Sequence, residues 1–142
     1  MRNDRAAQSH LADAEIILRE AEDSQRLGHY HRVVRKSQEA TELAVKGLFR
    51  LWGIEYPKSH LLGRVIKKEL VRTKALDRMA ADQLAYDCDS LALDREPSFY
   101  GSPEGTPARQ LFDLEDGEDA LAKGRRVLET VRTAMAKYRP AE

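Results

Sequence analysis

The sequence predicts an all-α, up-and-down bundle of about five helices, built as one domain over residues 1–142. Three observations carry that expectation. Apolar or small residues recur every three or four positions through residues 30–51, as one buried helix face requires. The same period returns near both ends of the chain. Charged residues reach 34% against 6% aromatic, a composition that favours small helical packing over a sheet sandwich.

The first helix is expected from about Asp4 to Arg26, with Ala7, Leu11, Ala14, Leu18 and Ala21 on one face and Ile17 widening it. Gly28 permits the turn into the second helix. That helix carries Tyr30, Val33, Val34, Ser37, Ala40, Thr41, Ala44, Gly47, Leu48 and Leu51 inward. Ala40, Ala44 and Gly47 are small enough for another helix to approach closely. Gly53 stops it, with Ile54 placed to fold back as the hydrophobic contact of a glycine cap.

A short third helix is expected to start near Ser59, whose hydroxyl can cap the next turn, and to bury Leu62, Val65, Ile66 and Leu70. Thr73 reads as the N-cap of a fourth helix with Leu76, Met79, Ala80, Leu84 and Leu91 inward. Residues 96–112 hold three prolines and two glycines without a period, which reads as an irregular loop. Asp113 can cap the last helix, whose early acids suit the positive end of its dipole. Its inner face continues through Ala120, Leu121, Gly124, Val127, Leu128, Val131, Met135 and Tyr138.

Net charge is zero, so no global field draws the chain to nucleic acid or membrane. Its distribution is uneven. Arg64, Lys67, Lys68, Arg72, Lys74 and Arg78 face only Glu69 and Asp77 within residues 64–78, whereas residues 87–119 hold ten acids against Arg95 and Arg109. The basic group spreads around a helix circumference and reads best as a solvated surface. Inter-subunit neutralisation is a further reading.

No apolar run approaches the roughly 18 residues that span a bilayer. The start of the chain is polar, and the single Cys88 excludes an internal disulfide. A cytoplasmic protein is the expectation.

The wording of the central segment adds to its period. Gly28-His29-Tyr30, then Ser37-Gln38-Glu39-Ala40-Thr41-Glu42-Leu43-Ala44-Val45-Lys46-Gly47-Leu48, then Pro57-Lys58-Ser59-His60-Leu61-Leu62 resembles the HEPN family. Those domains show a Gly-x-Tyr entry, an Ala/Gln-rich Glu-Leu-Ala-Leu-Lys-Ala-Leu helix and a Pro-x-Thr-His-Asp-Leu corner. Ser59 here replaces Thr, and Leu62 stands where Asp-Leu is common. Arg95-Glu96-Pro97-Ser98-Phe99-Tyr100-Gly101 and Phe112-Asp113-Leu114-Glu115-Asp116 are similar to the family's late segments.

The resemblance implies a nucleotide- or RNA-associated accessory protein acting beside a separate minimal nucleotidyltransferase in defence or toxin–antitoxin pairs, and a homodimer. It also implies where to look for chemistry. Many HEPN proteins cleave RNA with an Arg followed four to six residues later by His, the Arg stabilising the phosphate oxyanion and the His moving the 2′-hydroxyl proton. Arg95 is followed by Tyr100 instead. Tyrosine is a poor base at neutral pH, yet its ring still stacks on a nucleobase.

The candidate ligand-binding residues are therefore Arg95 and Tyr100, with Lys58 and His60 from the corner, and no catalytic residue is assigned. No cofactor is required, although Mg²⁺ accompanying a bound nucleotide would offset the surrounding acids. The rival for Arg95 is a structural bridge to those acids. Two further readings of the whole chain are a non-catalytic helical interaction module and a metal-independent RNase toxin with an unrecognised residue set.

Arg5 to His10 and Arg26 to His31 match the RNase spacing formally, but neither occupies the late position. His29, His31, His60, Asp87 and Asp89 could hold a metal only if the fold brought them together, and a His-x-His pair at a helix start points its rings apart. His60 reads first as a residue that fixes the corner by bonding backbone or a helix end.

Overall fold

The computed structural model describes residues 2–140 and is helical throughout its regular parts. Three long helices build most of the core: α1 (Arg2–Arg26), α2 (Tyr30–Leu51) and α7 (Leu114–Lys137). Helices α1 and α2 pack as an antiparallel pair, and α7 lies across both. Ala7, Leu11, Ala14, Leu18 and Ala21 are all buried, as their period requires. At Gly47 a Cβ would press on Cβ of His10 and the backbone of Ala7, so the small residue sets how closely α1 and α2 approach.

The end of α2 is a Schellman motif. Gly53 takes φ +69°, its N–H donates to Arg50 O at 3.1 Å, and Ile54 N–H donates to Phe49 O at 2.8 Å. Buried Ile54 closes the motif and sends the chain into the corner at residues 57–62. The corner leads to α3 (Gly63–Val65), a π-helical turn (Ile66–Leu70), and α4 (Arg78–Leu93), which packs on α7. Leu62, Ile66 and Leu70 point into the core, and Val65 is half-buried.

Two caps differ from the sequence expectation. Ser59 Oγ accepts from Leu61 N at 3.1 Å and only turns the corner. The first N–H groups of α3 are instead met by a distant carboxylate: Asp89 Oδ1 on α4 accepts from Leu62 N at 3.2 Å and from Gly63 N at 2.9 Å. A side chain at residue 63 would occupy the space of that carboxylate, so Gly63 is needed for the contact. Thr73 does not cap α4 either. Its hydroxyl donates to Glu69 O at 2.7 Å, and Asp77 is the cap, accepting from Ala80 N at 2.8 Å.

Met79 is a third correction. It is 83% exposed rather than inward, because α4 buries Ala81, Leu84, Ala85, Cys88 and Leu91, and position 79 falls on the opposite face. Residues 96–112 are also more regular than their composition implies. They contain most of α5 (Arg95–Tyr100) and all of α6 (Ala108–Leu111), joined by the turn at residues 101–107. Pro97 sits in the first turn of α5, where a missing N–H costs nothing.

Asp113 begins α7 in a full capping box, accepting from Asp116 N while Asp116 accepts from Asp113 N, each at 2.9 Å. Among the described residues no helix is long and apolar enough to cross a membrane.

Candidate functional site

Helix α5 is anchored to the middle of α2. Arg95 Nη1 donates to Gln38 Oε1 at 2.8 Å, and Ser98 is buried with its hydroxyl donating to Arg95 O at 2.8 Å. Phe99 takes the guanidinium of Arg35 at 3.8 Å from its ring centroid and that of Arg95 at 5.3 Å. Tyr100 lies beside Phe99, with centroids 5.7 Å apart, and is 81% exposed.

Between the corner and this helix lies an open groove of about 510 Å³. Ser59, His60 and Leu61 form one wall. Ala92, Leu93, Arg95, Glu96, Phe99 and Tyr100 form the other. Three of the four sequence candidates thus meet at one place: Arg95, Tyr100 and His60. Lys58 is exposed and stands next to the groove in sequence, but it is not part of its lining.

Behind the groove runs a polar chain that the sequence reading missed. Gln38 Nε2 donates to Glu42 Oε1 at 2.8 Å, Lys46 Nζ donates to Glu42 Oε2 at 2.9 Å, and His60 Nδ1 lies 2.7 Å from Glu42 Oε1. Burial pushes the Glu42 carboxyl up, but the hydrogen bonds from Lys46, Gln38 and His60 outweigh it and hold the group below its ordinary range. The available signal was the spacing Gln38, Glu42, Lys46, a polar line at every fourth residue alongside the apolar face of an amphipathic helix. Phe99 and Arg35 were also missed. An i, i+4 Arg–Glu pair such as Arg35–Glu39, 3.6 Å apart, reads as ordinary helix surface.

The expectation that Arg95 bridges to the acids around it does not match the geometry, since its hydrogen-bond partner is the neutral Gln38. His60 does fix the corner, though through a carboxylate rather than through backbone. Arginine offers a planar fork to phosphate, the aromatic pair offers stacking faces, and His60 adds a ring nitrogen. Glu96 is the acid within the lining. Such a lining suits a small anionic ligand with a flat ring.

The other constellations fall apart in space. Asp87 is buried and accepts from Arg126 Nη2 at 2.9 Å and Nε at 3.1 Å, while Asp89 caps α3 and His60 is bound to Glu42. Among the described residues no three His, Cys, Asp or Glu side chains are grouped to hold a metal. Arg26 pairs with Asp23 in the last turn of α1. His10 packs over Gly47, and His31 has its pKa lowered by burial and by Arg32, His29, Arg35 and Arg109. None of these lines the groove. The basic residues of 64–78 are exposed, with Arg72 paired to Glu69 at 2.6 Å.

No curated protein and no solved structure shows a significant match to this chain. A family model does: the HEPN domain matches residues 7–134, from the first core residue of α1 to the last turns of α7. The chain therefore belongs to the HEPN domain family, whose functions are in general related to nucleotides or RNA.

Proposed function

We propose that the groove between the corner and α5 binds a purine nucleotide or an RNA segment, and that the protein acts as an accessory subunit beside a separate minimal nucleotidyltransferase. One observation carries the reading: Arg95, Tyr100 and His60, from segments 35 and 40 residues apart in sequence, line a single groove. Arg95 takes the phosphate, Tyr100 and Phe99 stack on the base, and Lys58 adds positive charge just outside. Mg²⁺ strengthens binding by offsetting Glu96 and the acids nearby. The experiment is calorimetric titration of ATP and AMP into the protein, with and without Mg²⁺, repeated on Arg95→Ala.

The protein in this reading does not cleave RNA by itself. The late position that carries the family's histidine holds Tyr100, so the imidazole that moves the 2′-hydroxyl proton in those family members has no counterpart there. The nucleotidyltransferase pairing, and a setting in defence or toxin–antitoxin systems, rest on the family resemblance of the central helix and corner. The cytoplasm suits the lone Cys88, whose thiol is buried, with its pKa raised well above normal by that burial.

A second reading, a helical interaction module, draws on the outer face of α4. Met79, Tyr86 and Leu93 follow one another at seven-residue spacing and are 83%, 63% and 71% exposed. That line of apolar side chains supports homodimerisation, with a second copy of the chain covering it. Light scattering on wild type and Tyr86→Glu tests it: the account expects a dimer that the substitution dissociates, and a monomer of 16.1 kDa at micromolar wild type would refute it.

A further inference from the structure

One oxygen atom joins a lining residue of the groove to the residue behind it that holds Arg95. Glu42 Oε1 receives Gln38 Nε2 at 2.8 Å and lies 2.7 Å from His60 Nδ1. Gln38 is only 2% exposed, and its other end accepts from Arg95 Nη1 at 2.8 Å. A primary amide has one donor end and one acceptor end. With a carboxylate on one side and a guanidinium on the other, the amide of Gln38 has a single satisfactory orientation, and Arg95 inherits its position from Glu42.

The same logic fixes the tautomer of His60. An ionised carboxylate only accepts hydrogen bonds, so Nδ1 must carry the hydrogen in the neutral ring as well as in the charged one. The nitrogen left to gain or lose a proton is then Nε2, on a half-exposed side chain that lines the groove. Lys46 Nζ, 2.9 Å from Glu42 Oε2, helps to keep the carboxylate ionised. The charged or titratable groups around the ring are Glu42 and Lys46 from α2 and Arg95, Glu96 and Tyr100 from α5.

We propose that Glu42 is the positioning residue of the groove, holding Arg95 through Gln38 and His60 directly, and that His60 Nε2 is a proton-gated donor to the phosphate of the ligand. The proposal rests on the nucleotide reading of the groove and adds its regulation. Unprotonated, Nε2 presents a lone pair to phosphate oxygen, and two acceptors face each other. Once protonated, Nε2–H donates a charge-assisted bond. Ligand binding therefore takes up a proton at His60, and affinity rises as pH falls.

The probe is the dinucleotide d(ApA), whose phosphodiester keeps a single charge between pH 6 and pH 8. Its affinity is measured at pH 6 and pH 8 for wild type, His60→Asn and Glu42→Gln, alongside ¹⁵N spectra of the histidine rings in the ligand-free protein. Asparagine keeps a donor near the place of Nδ1 and removes the titrating nitrogen. The expected results are an Nδ1–H tautomer in free wild type and roughly fivefold tighter binding at pH 6 than at pH 8. His60→Asn should bind with a flat pH profile, and Glu42→Gln should show mixed tautomers and weakened binding at both pH values.

An Nε2–H tautomer in free wild type would overturn the proposal. So would an unchanged pH profile in His60→Asn, which decides the matter even if Glu42→Gln fails to fold. A correct tautomer with no binding of d(ApA) at either pH would refute the nucleotide reading itself and the gated donor with it. Binding that ignores pH in wild type would keep the nucleotide reading and refute only the gate.

Discussion

The guanidinium of Arg95 and the amide of Gln38 meet at 2.8 Å across 57 residues of sequence, and this bond ties α5 to the middle of α2. It places a residue that never touches the groove in control of one that lines it. Gln38→Leu should therefore lower nucleotide affinity without removing any ligand contact. The loss of two charge-assisted bonds, from Arg95 and to Glu42, at a buried side chain predicts a stability cost of about 2–4 kcal/mol. Urea denaturation and calorimetry on the same sample check both effects, and unchanged affinity would show that Arg95 keeps its place without Gln38.

Asp87 is 1% exposed and depends on Arg126 for its two strongest hydrogen bonds, with Gln83 Nε2 adding a third at 3.2 Å. Removing only the cation leaves a buried carboxylate unpaired. Because Arg126 is half exposed and Gln83 stays bonded, Arg126→Met is expected to cost about 2–3 kcal/mol, less than breaking a fully buried pair, and adding Asp87→Leu should recover much of that loss. Denaturant midpoints of the single and double variants measure the pair. Equal stability of Arg126→Met and wild type would contradict this account of the α4–α7 contact.

Asp94 has the opposite character. Burial raises its pKa, Lys123 opposes the shift, and Asp116 and Asp119 add to it. A carboxyl whose folded pKa lies above its unfolded value stabilises the fold when protonated, and that contribution is lost as pH rises through the folded pKa. Asp94→Asn should thus raise the melting temperature at pH 7, with the gap closing toward the ordinary aspartate value of 3.8 and below. Asparagine also serves well before a helix, so α5 should keep its start. A melting curve series from pH 3 to pH 7 reads the sign directly.

Purified protein should leave labelled single-stranded RNA intact in EDTA. The expectation follows from Tyr100 at the late position and from the placement of His10 and His31 outside the groove. Cleavage that survives stringent purification and disappears in His31→Ala or His10→Ala would assign the chemistry to residues set aside here.

The long helices were legible because their buried faces repeat with the helical period, and nothing in the tertiary structure overrides Ala7 to Ala21 or Val127 to Met135. The caps were less legible. Ser59 and Thr73 have the chemistry of N-caps, but α3 takes its cap from Asp89, 26 residues from Gly63, and no local pattern announces such a partner. Helix α5 was hidden because Pro97 and Gly101 read as breakers, although one sits in its first turn and the other ends it with φ +82°.

For the groove, Arg95 and Tyr100 could be found through family likeness, and His60 through the corner motif. Their grouping followed from the resemblance alone, while the geometry of the groove depends on how α5 docks on α2. Gln38 and Glu42 entered only as part of the family-like wording of α2. Only the fold shows that they face a histidine and an arginine.

The central claim is that Arg95 and Tyr100 form one nucleotide site, and titration calorimetry of ATP in the presence of Mg²⁺ tests it most directly. The account predicts measurable heat for wild type, at least a tenfold loss of affinity in Arg95→Ala from the missing phosphate contact, and a smaller loss in Tyr100→Ala from the missing stack. Equal affinities for all three proteins would place the site elsewhere, and no heat for wild type with or without Mg²⁺ would contradict nucleotide binding at this groove.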